Sequence, residues 1–314
     1  MTTFPRGSAG SDLPLQGRRI LITGPAGQVA FPVTAALAAD NDVWGIARFG
    51  DGEARRRVEA LGARTAAVDL ADPDWTALPD RFDHVVHFAA DITGEDYDRA
   101  IRINAEGTGL LMTRFADAAS CLVVSSSAVY DLHPDAAHPL AETDPLGDSK
   151  PLFGKTYPVS KIAQEAVARA TCRAVGLPTT IARLNLSYGP NGGLPAYQLD
   201  WILAGEPVPV SDEETFHNPF HQDDIVASVP RLLDVASVPA VVTNWAGDDT
   251  VTMREYVALL GELAGEKVEL APTPSFIRSR AVDVSRQQEL IGPCSVNWRE
   301  GMRRLVEDRL DRLA

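Results

Sequence analysis

A chain of 314 residues with 45% apolar side chains can bury one large α/β core or two modest lobes. Its formal charge of -14 opposes phosphate backbones, so nucleic acid is excluded as an expected partner. The 3 cysteines, Cys121, Cys172 and Cys294, form no C-x-x-C pair and predict reduced thiols rather than a disulfide framework or a zinc knuckle, and no apolar run nears the ~18 residues of a membrane span. A soluble, cytoplasmic protein that acts on a small molecule is expected.

The first stretch, 1–17, is rich in Gly, Ser and Pro without an apolar targeting core and predicts a loose arm. Short β-rich runs then alternate with helix-sized gaps: RRILIT, DVWGIA, RTAAVDL, DHVVHFAA, ASCLVVSSS, TTIARLNL and PAVVTNWAG. Apolar runs with little polar alternation suit strands buried on both faces. The fold class predicted is α/β, a doubly wound parallel-sheet Rossmann fold with a smaller C-terminal substrate-binding lobe. The Rossmann domain is placed at 18–186 and 222–250. The lobe takes 187–221 and 251–314, where proline is frequent and the alternation breaks down.

In ILITGPAGQVAFPVTAALAA, Gly24 and Gly27 follow the first strand and open an Ala-rich helix. Gly24 permits the tight turn, Gly27 admits a pyrophosphate, and the helix N-terminus offers free N–H groups. Ala30 replaces a third glycine and is still small, whereas Pro32 lies near the limit at which a first turn tolerates proline. The second strand ends in Ala47 and Arg48 where an acidic residue would bind a ribose, so NADP is favoured over NAD; one more surface arginine is the alternative for Arg48. Asp69, ending the third strand, is either an acceptor for the adenine amino group or a turn aspartate before Pro73.

Tyr157 and Lys161 stand four apart at the start of a helical pattern and share one face, with Pro158 suited to its first turn. A phenol with a pKa near ~10 is a poor base at neutral pH, and an adjacent ammonium is expected to draw it toward the working range. Ser126, ending the fifth strand, can donate a hydrogen bond to the same substrate oxygen.

Together these motifs resemble the extended short-chain dehydrogenase/reductase family, also called the NAD-dependent epimerase/dehydratase family, over nearly the whole chain. TGPAGQVA resembles its glycine turn, HFAA its motif after strand four, INAEGT its N-x-x-G-T helix, SSSAVY its strand end, YPVSK its Y-x-x-S-K, and RLNLSYGP and HQDDI its later motifs. The resemblance implies Tyr157 as acid/base, Lys161 as the residue that holds the nicotinamide ribose and lowers the Tyr157 pKa, and Ser126, with Ser127 the alternative, as the orienting hydroxyl. It further implies a cofactor site of Gly24, Ala26, Gly27, Gln28, Val29, Arg48, Asp69, Leu70, Phe88, Ala89, Ala90, Asn104, Tyr157 and Lys161. A homodimer built on the Tyr157 helix is implied as well.

Three departures bear on substrate. Leu186 stands where an asparagine is expected, with Asn185 adjacent; His217 takes the place of an arginine for a sugar diphosphate; Asp131 replaces a glycine and opens a long loop. Ser127, Asn185, His217 and Arg278 are the expected substrate contacts, with Arg278 or Arg280 available to a diphosphate. His217 and His221 are four apart, but Pro219 between them argues against a helix, and no metal is expected. The reading placed first is NADP-dependent oxidation or reduction of a mid-sized alcohol or ketone. The alternative is a nucleotide-sugar epimerase with tightly held NAD, and behind both stands a cofactor-sensing protein without turnover.

Overall fold

A computed structural model describes residues 15–92, 94–149, 151–152, 154–274 and 276–313; most of the expected arm, 1–14, lies outside them. The seven apolar runs form the strands β1 (Arg19–Thr23), β2 (Asp42–Ala47), β3 (Arg64–Ala67), β4 (His84–His87), β5 (Ser120–Ser126), β6 (Thr179–Leu184) and β7 (Val241–Trp245). They make one sheet in the order β3-β2-β1-β4-β5-β6-β7 with every pairing parallel.

The strand sequences follow from burial on both faces. Ile20, Ile22, Leu122 and Val124 point into one core with Val33, Leu37, Val229 and Leu232, while Leu21, Cys121 and Val123 point into the other with Leu111, Met112, Ala168 and Cys172. Neither side of these strands meets water, so alternation would leave polar groups inside. The helix Tyr157–Val175 starts with Pro158 in its first turn and ends at Gly176, whose φ of 73° closes the helix with an N–H bond to the Cys172 carbonyl. Pro32 is the third residue of the helix Ala30–Ala38, where its missing N–H costs no intrahelical bond.

A separate apolar core, including Leu199, Ile202, Tyr256, Val257, Leu260 and Met302, holds the smaller lobe together. Its helices are Leu194–Leu203, Met253–Ala264 and Trp298–Leu313, and the second opens on a capping box of Thr252 and Glu255. One short helix differs from the sequence-based division. Ser285–Ile291, expected in the lobe, contributes Ile291 to the core of the Rossmann domain, because that side chain completes the apolar layer with Ile225 and Val229. Among the described residues no helix is long and apolar enough to cross a membrane.

Candidate active site

The strand order reverses between β1 and β4, and ligands of such sheets bind outside the carboxyl ends at that point. A cavity of about 560 Å³ opens there, within the range of small-molecule sites. Gly24, Ala26, Gly27, Gln28, Val29, Arg48, Asp69, Leu70, Phe88, Ala89, Ala90, Tyr157 and Lys161 all line it. Gly24 has φ 65°, and a Cβ on it would meet Ala89 Cα at 3.1 Å; on Gly27 it would meet the Gly24 carbonyl at 3.2 Å. Both glycines let the turn pack this closely on itself and on Ala89, and with the helix N-terminus that follows, the cavity fits a dinucleotide.

Arg48 is exposed on the cavity rim, and no carboxylate ends β2 beside it. Asp69 lines the cavity while its side chain accepts the Ala71 N–H at 3.0 Å, which makes it a turn former as well. Asn104 is buried and does not line the cavity. It lies where the helix 97–114 widens to a π-turn over Arg102–Glu106, and its amide accepts the Asp91 N–H at 2.7 Å and donates to the Asp91 carbonyl at 3.0 Å. Its influence on the cavity passes through the loop it holds, which carries Ala90 and Asp91.

Ser126, Tyr157 and Lys161 converge on the inner end of the cavity, and Ser127 turns away into the 3-10 turn Ser127–Val129. Ser126 stands close enough to Tyr157 to oppose the effect of burial on its phenol. Because Ser126 Oγ accepts the Ala128 N–H at 3.1 Å, its own proton is free to donate. Lys161 Nζ lies 5.6 Å from the Tyr157 ring centroid and donates to the Val124 carbonyl at 2.9 Å and Gln164 Oε1 at 2.8 Å.

The expected lowering of the phenol pKa by Lys161 is not what the structure shows. Burial pushes the Tyr157 phenol up from its ordinary value, and the group opposing it is Ser126. Burial also pushes the Lys161 amine down to about 7, against the attraction of Glu165. The amine's two protein hydrogen bonds go to the Val124 carbonyl and Gln164 rather than to the phenol.

Behind the trio lies a buried ion pair absent from the sequence reading. Arg183 Nε and Nη2 donate to the two Glu165 oxygens at 2.9 and 2.8 Å, Ser125 Oγ donates to Glu165 Oε1 at 2.7 Å, and Arg183 stacks 4.8 Å from the Tyr130 ring centroid. The i,i+4 spacing of Lys161 and Glu165 was the available signal. Its partner on β6, Arg183, opens the RLNLSYGP motif, but nothing in that motif pointed to Glu165.

The expected substrate residues divide. Asn185 lines the cavity, yet its amide is engaged by the Arg280 carbonyl at 2.6 Å and by the Leu186 N–H at 2.7 Å. His217 is buried on the short strand Phe216–His217, where burial and then Arg280 push it down to about 3, so it is neutral. Arg278 borders a separate cavity of about 200 Å³ between the 132–140 loop and the lobe. His217 Nε2, Arg278 Nε and Arg280 Nε are all buried without a hydrogen-bond partner.

A parallel sheet with a glycine turn at its switch point and a Ser-Tyr-Lys trio in the same crevice defines a nicotinamide-dinucleotide enzyme of the Rossmann class. The model of the NAD dependent epimerase/dehydratase family matches residues 20–234, and the chain belongs to that family. No curated protein matches the chain. Among solved structures, the UDP-glucuronic acid 4-epimerase of Bacillus cereus, in complex with UDP-glucuronic acid and NAD, is 20% identical with a TM-score of 0.80, over 94% of this chain and 100% of that one. The UDP-N-acetylglucosamine 4-epimerase of Methanobrevibacter ruminantium M1 is likewise 20% identical with a TM-score of 0.80, over 95% and 100%. MoeE5, in complex with UDP-glucuronic acid and NAD, reaches 24% identity with a TM-score of 0.77 over 94% and 99%. These likenesses establish the shared fold.

Proposed function

We propose that this protein interconverts epimers of a nucleotide sugar at a hydroxyl-bearing carbon. The observation that carries the reading is the Ser126-Tyr157-Lys161 trio on the cofactor cavity, with the buried unpartnered nitrogens of His217, Arg278 and Arg280 in the adjoining lobe. When bound, the nicotinamide supplies a reversible hydride acceptor. Tyr157 takes the proton of the substrate hydroxyl and returns it, and Ser126 donates a hydrogen bond to that oxygen as its charge develops. A diphosphate is an acceptor for guanidinium N–H groups, and Arg278 and Arg280 take the part of the arginine that His217 replaces. The epimerases that share the fold, in complex with their UDP sugars, support this choice over net redox chemistry on a ketone.

The second reading, a net NADP-dependent oxidoreductase, is favoured by Arg48. Its exposed guanidinium on the rim suits a 2'-phosphate, whereas the neighbours in complex with NAD favour NAD. Mass spectrometry of nucleotide released on denaturation separates the two readings. Near one NAD per chain supports the self-contained cycle of an epimerase; little nucleotide, or exchangeable NADP, supports the oxidoreductase. Arg48→Ala is expected to weaken NADP binding at least tenfold more than NAD, measured by titration of nucleotide-free protein, in line with the loss of a charge-assisted bond. Equal losses would return Arg48 to the role of a surface residue.

A homodimer in the cytoplasm belongs to this proposal. Tyr97 and Leu110 are exposed on the helix beside Tyr157–Val175, and Cys121, Cys172 and Cys294 are free thiols.

A further inference from the structure

Lys161 is joined to the glycine turn by a chain of buried hydrogen bonds that runs through the sheet. Gln164 Nε2 bonds to Thr108 Oγ1 at 3.0 Å, and Thr108 Oγ1 lies 2.6 Å from the Asn104 carbonyl and 2.8 Å from His87 Nε2. His87 Nδ1 lies 2.7 Å from Thr23 Oγ1, which accepts the Ala89 N–H at 2.9 Å. Thr23, His87, Thr108 and Gln164 are all 0% exposed.

Hydrogen counting assigns a direction to every link. A carbonyl cannot donate, so the one proton of Thr108 goes to Asn104. Thr108 must then accept from both Gln164 and His87. His87 is therefore the neutral tautomer with its proton on Nε2, as its depression to about 3 by burial requires, and Thr23 donates to Nδ1. The same constraint orients the Gln164 amide. Reversed, it would set its oxygen against an acceptor and its NH₂ against the amine of Lys161, so the oxygen faces Lys161.

We infer that Gln164 is the positioning residue of the active-site amine: locked by Thr108 and His87, it holds two hydrogens of Lys161 on protein acceptors and leaves the third position facing the cofactor cavity. Both acceptors, the Val124 carbonyl and Gln164 Oε1, are satisfied by an ammonium or by a neutral amine, since either has two hydrogens to give. The third position alone changes from donor to lone pair when the proton leaves. The groups facing the amine are Tyr157 and Glu165 on its own helix, His87 from β4 and, across Glu165, Arg183 from β6. The inference holds for an epimerase and for a net oxidoreductase alike.

The test reads Lys161 directly. The chain has four lysines, Lys150, Lys155, Lys161 and Lys267, so the full protein labelled with carbon-13 at lysine Cε yields four titrating signals, and Lys161→Met identifies one of them. Gln164→Met removes an acceptor that favours the charged amine and is expected to lower the Lys161 pKa by about one unit. Gln164→Glu supplies an anionic acceptor and is expected to raise it by about one unit. Thr108→Val releases the amide to turn and is expected to act in the direction of Gln164→Met, and it serves if either Gln164 variant does not fold. A loosened core would move Lys161 the same way in all three proteins. That outcome, or a signal that stays within about 0.3 unit in every folded variant, overturns the inference.

Discussion

Tyr157→Phe is expected to lower turnover roughly 100- to 10,000-fold while nucleotide binding is retained, because the phenol is the proton-transfer group and its ring, which lines the cavity, is preserved. The comparison is made on the nucleotide sugar or ketone that a substrate panel identifies, with the nucleotide content of both proteins measured alongside; full turnover in the variant would remove Tyr157 from the chemistry. The pH dependence follows from the upward shift of the phenol by burial. A raised pKa keeps Tyr157 protonated through the neutral range. Either epimerisation direction begins by removing the substrate proton, so turnover is expected to climb about tenfold per pH unit from pH 6 to 8, whereas a net ketone reduction, which needs Tyr157 only as a donor, would be level there. Ser126 is the neighbour that opposes the shift, so Ser126→Ala should make the base form scarcer still.

Arg183→Met is expected to destabilise the fold by about 3–5 kcal/mol, read as a lower urea midpoint, because it leaves the Glu165 carboxylate buried without its cation. The pair is 1% and 3% exposed at its side chains, so water cannot take over. Arg169, half-exposed at 3.7 Å from Glu165, is a second, solvent-screened ion-pair partner and offsets only part of this loss. The double variant Arg183→Met, Glu165→Leu should recover most of the loss, since no unpaired charge remains. A single variant as stable as the parent at pH 7 would mean that the pair contributes nothing to the fold.

Much of the fold and part of the site could be read locally. The central strands were visible because they are buried on two faces, which turns a packing constraint into a continuous apolar run; the edge strand β3 is buried only at Ala66 and carries less of that signal. Tyr157 and Lys161 were visible because one helical turn carries both, and the glycine turn because Gly24 has φ 65° and a Cβ on Gly24 or Gly27 would crowd the turn. Glu165 and Gln164 lie on the same helix as Lys161, yet their partners are on other elements: Arg183 on β6, Thr108 on the helix 97–114 and His87 on β4. Asn104 was placed in the cofactor site by its motif, whereas the structure has it holding Asp91 from below.

The sequence by itself determined the sheet, the dinucleotide turn and the residue types of the reaction centre, because each rests on backbone geometry or on side chains within one turn of helix. Only the tertiary structure decided how those side chains are charged and held. Tyr157 is raised because the folded protein removes water from it, Lys161 is lowered for the same reason, and Gln164 faces the amine because Thr108 has only one proton to give. Desolvation and hydrogen-bond direction depend on every neighbour in space, and the neighbours that matter here come from strands and helices tens of residues apart.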